Sequence, residues 1–350
     1  MNILFVASEV DPLAKTGGLA DVTGALAKAL AGGGHDVRIV MPLYRQVDRA
    51  RWGLEPMGMH FAVGLGAAVR QMRVWEGRLA AGSARLYLLE QPALFDRDGL
   101  YQARGVDYPD NLERFSSLSQ AALALLPQLG WQPQVIHCHD WQTALVCAHR
   151  RFGQAARDET LAATATVLTV HNLAYQGVFP KEQWAMTQLP EAAFQIDGLE
   201  FYGQLNCLKG GLVSSDLITT VSPSYAQEIQ TREWGCGLEG VLSARRSDLV
   251  GILNGIDPDE WNPQTDPHIQ TKFSPEATAG KALCKQALQR SQGLPEQHEL
   301  LIGMVQRLAA QKGIDIFLEA LEALMALPLQ IVILGSGQAR YHEQLQAAAA

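Results

Sequence analysis

Residues 3–41 read ILFVASEVDPLAKTGGLADVTGALAKALAGGGHDVRIVM, and this stretch decides the fold. Ile3 to Ala7 is a short continuous apolar run, which predicts a buried first strand. A polar loop with the pair Gly17-Gly18 follows. Leu19, Val22, Leu26, Ala29 and Leu30 then recur at helical spacing. Gly32-Gly33-Gly34 stops that helix, and Val37 to Met41 is a second strand ended by Pro42. Strand, glycine-bearing loop, helix and strand in this order make the βαβ unit of a parallel sheet.

The pattern continues outward. From Phe61 to Glu90 the period changes to two, as in Gln71-Met72-Arg73-Val74-Trp75-Glu76, and a β-rich excursion is predicted there. Helix returns from about Asn111 to Leu126. Gln134 to His137 reads as a strand, Trp141 to Arg150 as a helix and Thr166 to Val170 as a strand. Leu217 to Val221 and Leu249 to Leu253 are two more. A stretch rich in Asn, Asp, Pro and Thr then reads as an interdomain linker. Beyond it come a helix from about Ala282, a strand at Leu300 to Val305, a helix at Ile314 to Met325, a strand at Gln330 to Leu334 and a helix from near Ala339. The predicted division is 1–253 for an N-terminal Rossmann-like domain, 254–280 for the linker and 281–350 for part of a second Rossmann-like domain. Two strands cannot cover both faces of a parallel sheet. The second domain is therefore expected to be incomplete, with Ile314, Phe317, Leu318 and Leu321 poorly covered. The chain is expected to be a piece of a longer one and inactive by itself.

The 350 residues suit two domains. A net charge of -8 argues against a nucleic-acid binder. The five cysteines, Cys138, Cys147, Cys207, Cys236 and Cys284, form no CxxC, which fits a reducing, cytoplasmic setting. The N-terminus has no basic n-region, and no apolar run is long enough to suggest a membrane span.

Four places carry chemistry. Lys15-Thr16-Gly17-Gly18 precedes a helix, where unbonded amides attract anions, glycines allow close approach and a lysine adds charge; a plain turn with a solvated lysine is the alternative. His137-Cys138-His139-Asp140-Trp141 ends a strand, where ligands of open α/β sheets bind. A metal is disfavoured because the closing ligands are not evident; a buried histidine and a helix-capping Asp140 are the plain alternative. His171-Asn172 ends the next strand, a position that raises a functional reading; a satisfied loop histidine is the alternative. Arg307 and Lys312-Gly313 follow the first strand of the second domain, where Arg can grip phosphate and Lys act as a point charge, unless they are a solvated basic loop. Asp96-Arg97-Asp98 and Asp257-Pro258-Asp259 could hold a divalent ion, but both read as turns.

Together these residues resemble the bacterial glycogen synthase and plant starch synthase family, retaining glucosyltransferases of the GT-B fold. The resemblance rests on residues 15–22, on Asp107-Tyr108-Pro109-Asp110-Asn111, His139-Asp140-Trp141 and His171-Asn172-Leu173-Ala174-Tyr175-Gln176-Gly177, and on Asn254-Gly255-Ile256-Asp257, Trp261-Asn262-Pro263 and Gln311-Lys312-Gly313. It implies a pair of Rossmann-like domains, ADP-glucose as donor, glycogen or another α-1,4-glucan as acceptor, and no cofactor. It places Lys15, Gly17 and Gly18 at the donor, with Arg307 and Lys312 on its phosphates. Asp140 and His171 fall at the transferred glucose, with Asp21 and Asn254 in the same pocket. Gln306-Arg307-Leu308-Ala309 departs from the family's Ser-Arg-Leu-Thr, and the family's later carboxylate motif and glycine-rich loop lie beyond Ala350. A GT-B enzyme using a UDP-sugar and a non-catalytic glucan-binding fragment remain as alternatives.

Overall fold

The computed structural model describes residues 1–79, 84–103 and 105–349; residues 80–83 of the β-rich excursion and Ala350 of the alanine end lie outside them. The chain divides into two compact units, Met1–Gly255 and a second that begins at Ile256.

The first unit contains β1 (Asn2–Val6), α1 (Gly18–Gly32), β2 (Asp36–Pro42), β3 (Glu55–Leu65), β4 (Ala68–Arg78), β5 (Arg85–Glu90), α2 (Pro92–Phe95), β6 (Gln102–Ala103), β7 (Val106–Asp107) and α3 (Asn111–Leu129). There follow β8 (Val135–His139), α4 (Trp141–Phe152), β9 (Ala165–Val170), β10 (Val178–Pro180), β11 (Glu200–Phe201), β12 (Gln204–Asn206), α5 (Cys207–Ser214), β13 (Leu217–Thr220), α6 (Pro223–Glu228), α7 (Glu239–Ala244) and β14 (Leu249–Gly251). Nine of the strands form one sheet in the order β14-β13-β9-β8-β1-β2-β5-β4-β3. Neighbours from β14 to β5 are parallel, and β4 with β3 adds an antiparallel hairpin at one edge. The parallel α/β class expected from the sequence is the one observed.

Residues Ile3 to Val6 of β1 are buried, as a strand with both faces covered requires. β3 alternates between exposed and less exposed positions over most of its length, as an edge strand with one wet face does. β1 pairs with β2 on one side and with β8 on the other, so the chain reverses its direction of travel across the sheet between them. Ligands of open α/β sheets bind at the carboxyl ends of strands beside such a reversal.

The deeply buried line of α1 is Leu19, Ala20, Thr23, Gly24 and Ala27; of the other apolar positions read at helical spacing, Leu26 and Leu30 pack half-buried against the core, Val22 is half-buried and Ala29 is exposed. Small residues face inward because the preceding loop lies directly on the helix: a Cβ at Gly24 would run into the Asp11 carbonyl oxygen. The strand predicted at Gln134–His137 sits one or two residues further on, so His139 is its last member rather than part of the loop.

After β14 the backbone is irregular from 252 to 279. The second unit then contains α8 (Gly280–Ser291), β15 (Leu300–Val305), α9 (Ile314–Met325), β16 (Leu329–Leu334) and α10 (Ala339–Ala349). β15 and β16 are parallel, from Leu300 opposite Leu329 to Val305 opposite Leu334. Leu308, Ile314 and Tyr341 form a small core with Met304, Leu318, Ile333 and Leu345 against it. The expectation of a poorly covered α9 face is corrected at Ile314, which is fully buried, while Phe317, Leu318 and Leu321 are half-buried. Tyr341, from α10, closes over that end of the helix.

Candidate active site

The loop after β1 is organised by a residue that sequence reasoning did not single out. Glu9 is 3% exposed. Its carboxylate accepts from the Thr16 hydroxyl at 2.7 Å, from the Thr16 amide, and from the Tyr101 hydroxyl at 2.5 Å. Tyr101 also meets the Ser8 hydroxyl at 2.7 Å. Burial, with the Glu9 charge second, holds the Tyr101 phenol well above its usual range, so it stays a donor. The segment Tyr108 to Asn111 fixes Tyr101: the Tyr108 amide and the Asn111 side chain both donate to its carbonyl, at 3.0 and 2.9 Å.

Glu9 thereby sets the backbone of Lys15 to Gly18 at the entrance to α1. Gly17 is the N-cap and offers no side-chain cap to the first turn. A Cβ at either Gly17 or Gly18 would meet nothing within 4 Å. Among the described residues no atom demands a glycine there, and the space beside both positions is open. Lys15 Nζ lies 2.5 Å from Asp21 and 3.6 Å from Asp11. Asp21 thus sits beside Lys15 as its partner, and the loop combines a cation with the positive end of a helix.

Asp140 stands at the carboxyl end of β8 with φ 55° and ψ -172°. That region belongs essentially to glycine and costs about 1–3 kcal/mol for another residue. The expectation that Asp140 caps α4 is not met, since its side chain makes no cap hydrogen bond. Instead its carboxylate reaches across to the end of β9 and accepts from the His171 amide at 2.7 Å, with the Asn172 amide also donating to it. Burial, only partly offset by those donors, pushes its carboxyl up to about 7, and the Glu9 charge adds to the rise.

Asp140 and His171 are therefore brought together, as the strand-end rule suggested. His171 Nε2 lies 3.0 Å from His139 Nδ1. Behind them His137 meets the Thr169 hydroxyl at 2.6 Å, and His139 stacks on both Phe5 and His137, which also touch each other. Burial drives all three histidines toward the neutral form, His171 down to about 4 and His137 to about 3. Among the described residues no group of three or more His, Cys, Asp or Glu is arranged to hold a metal. Asp96 and Asp98 both grip Arg45, at 2.7 and 2.6 Å.

The remaining candidates are Asn254, Arg307 and Lys312. Asn254 is exposed in the irregular stretch after β14. In the second unit, Arg307 follows β15, and Lys312 lies in a short 3-10 turn whose end, Gly313 at φ 70°, is the N-cap of α9. Both side chains are exposed. The strand-end rule that drew attention to His171 applies equally to Glu9, three residues past β1, and would have found it.

A parallel sheet with a glycine pair at a helix N-terminus beside its point of reversal is the architecture of nucleotide-binding α/β domains. Residues 2–244 match the family model described as the starch synthase catalytic domain. The chain is 50% identical over 338 residues to a glycogen synthase of Syntrophotalea carbinolica, covering 96% of this chain and 69% of that one. It is 49% identical over 346 residues to glycogen synthase 2 of Geobacter sulfurreducens, covering 99% and 71%. The solved catalytic domain of starch synthase IV from Arabidopsis thaliana, bound to ADP and acarbose, superposes with a TM-score of 0.90 at 34% identity, covering 99% of this chain and 70% of that one. The chain belongs to the glycogen synthase and starch synthase family of glycosyltransferases, with the GT-B fold.

Proposed function

We propose that the chain transfers glucose from ADP-glucose to the non-reducing end of an α-1,4-glucan, with retention, in glycogen biosynthesis. The observation that carries this reading is the Glu9-braced loop Lys15–Gly18, open at the N-terminus of α1. Transfer leaves negative charge on the departing diphosphate, and preorganised amides and cations lower the barrier by meeting that charge. In this reading Lys15 and the Gly17 and Gly18 amides bind the diphosphate, and Arg307 and Lys312 contribute further cations. Asp140 and His171 hold the transferred glucose, with Asp21 and Asn254 in supporting positions. The ADP and acarbose of the starch synthase IV structure support a nucleotide donor and a carbohydrate acceptor. The cytoplasm is the proposed location, supported by five free cysteines; no helix among the described residues is long and apolar enough to cross a membrane. The test is ADP release from ADP-glucose with glycogen present, against UDP release from UDP-glucose. Faster turnover of UDP-glucose would overturn the donor assignment.

A further inference from the structure

Three exposed aromatic rings, Tyr202, Trp234 and Tyr175, lie on segments tied to the His171 loop and have no role so far. Phe201 of β11 pairs with Gln204 of β12, so Tyr202 and Gly203 form a two-residue hairpin turn. Their φ angles are 51° and 80°, the pattern of a type I′ turn, in which Asn-Gly is favoured and a bulky ring is strained. Tyr202 nevertheless remains 83% exposed. Its contacts are the edge of Phe201, with centroids 4.8 Å apart, and the neighbourhood of Gly237. Burial does not account for a tyrosine at this position. Trp234 and Tyr175 are 55% and 50% exposed.

The three rings lie on segments joined by one buried side chain. Gln176 donates to the Cys236 carbonyl at 3.0 Å and accepts from the Asn206 side chain at 2.6 Å. Asn206 ends β12, Cys236 follows Trp234 by two residues, and Tyr175 precedes Gln176 directly. Tyr175 is also tied back to the start of its loop, its amide donating to the Asn172 carbonyl at 3.2 Å. That is the same loop whose first amides Asp140 clamps. The segments that carry the rings are thus tied to one another and to the loop that begins at His171.

We propose that Tyr202, Trp234 and Tyr175 form a platform for the acceptor α-glucan, with Tyr202 as its outer anchor. This rests on the function proposed above. A pyranose ring presents an apolar C–H face and a hydroxylated rim, and tyrosine and tryptophan offer a flat apolar face with a polar tip. Backbone strain kept at an exposed position is expected where the side chain serves binding rather than folding.

The test separates these two roles. Tyr202→Asn creates the favoured Asn-Gly turn, so its thermal midpoint should equal or exceed that of the unaltered chain. Its affinity for glycogen, measured by migration in glycogen-containing native gels, should nevertheless fall about tenfold, as for loss of an aromatic anchor. Trp234→Ala should weaken glycogen in the same direction. In turnover the loss should appear in KM for glycogen and not in KM for ADP-glucose. Unchanged glycogen retardation of a folded Tyr202→Asn protein would overturn the platform, and so would a fall in affinity that merely tracks a fall in thermal midpoint. An unaltered chain that glycogen does not retard at all would instead overturn the underlying function.

Discussion

Asp140→Asn should make the protein less dependent on pH while reducing its activity. The unfolded carboxyl loses its proton near 3.8, whereas the buried one holds it to about 7. Between those values the native state binds more protons than the unfolded state, so this residue makes stability decline as pH rises. At about 1.4 kcal/mol for each pH unit, the native state carries a cost of at most about 4 kcal/mol by pH 8. Asparagine cannot ionise and escapes it. Its amide offers one oxygen to the two amides of His171 and Asn172, which costs about 1–3 kcal/mol at every pH. The pH-independent part cancels when the difference between variant and wild type is compared at pH 4.5 and pH 8. That difference should move by about 3 kcal/mol in favour of the variant. Urea unfolding followed by tryptophan fluorescence gives the curves, and ADP release at pH 8 should fall in parallel. The surrounding histidines titrate in both proteins and drop out. Superimposable pH profiles for the two proteins would refute the assignment of a buried, high-pKa carboxyl.

Gly17→Ala and Gly18→Ala meet no protein atom, so unfolding free energy should change by less than about 1 kcal/mol, while calorimetry should show ADP binding at least several-fold weaker; unchanged binding would remove the diphosphate from this loop. Lys15→Ala should lower kcat/KM for ADP-glucose by about one to two decades, the worth of a charged hydrogen bond of about 1.5–3 kcal/mol, and leave glycogen retardation intact; undiminished donor kinetics would count against it. Acid should destabilise the protein through its neutral buried histidines: the unfolded imidazoles take protons near 6.5, while His149 and His171 resist to about 4, so stability falls as pH drops from 6.5 toward 4. His149→Gln should flatten that fall, as read from thermal midpoints across the window. EDTA should leave turnover intact if, as proposed, Lys15, Arg307 and Lys312 neutralise the diphosphate in place of a metal; loss of activity restored by Mg²⁺ or Mn²⁺ would contradict it.

The parallel sheet was legible because strands such as β1 and β9 carry short, largely apolar runs, a local signal. The three-stranded arrangement of β10, β12 and β11 was not, because its members have two or three residues each and no period to read. Lys15 to Gly18 and His171 were legible as strand-end or helix-start residues. Glu9 was within reach of the same strand-end rule, but its role was not, since its partner Tyr101 lies 92 residues away. The strained backbone of Asp140 left no trace in composition, and the sequence pattern that suggested a helix cap is the same one a cross-strand clamp produces.

The position of β1 between β2 and β8 has a bearing on how the protein is made. β2 is synthesised soon after β1, but Val135, opposite Ile3, follows it by 132 residues. At roughly 5–20 residues per second, the apolar edge of β1 waits about 7–26 s on the ribosome for its second neighbour. An unpaired, wholly apolar strand edge invites pairing with other chains. Nascent chains paused before residue 135 should therefore be the ones that recruit chaperones, and release from them should coincide with the emergence of the segment ending at His139.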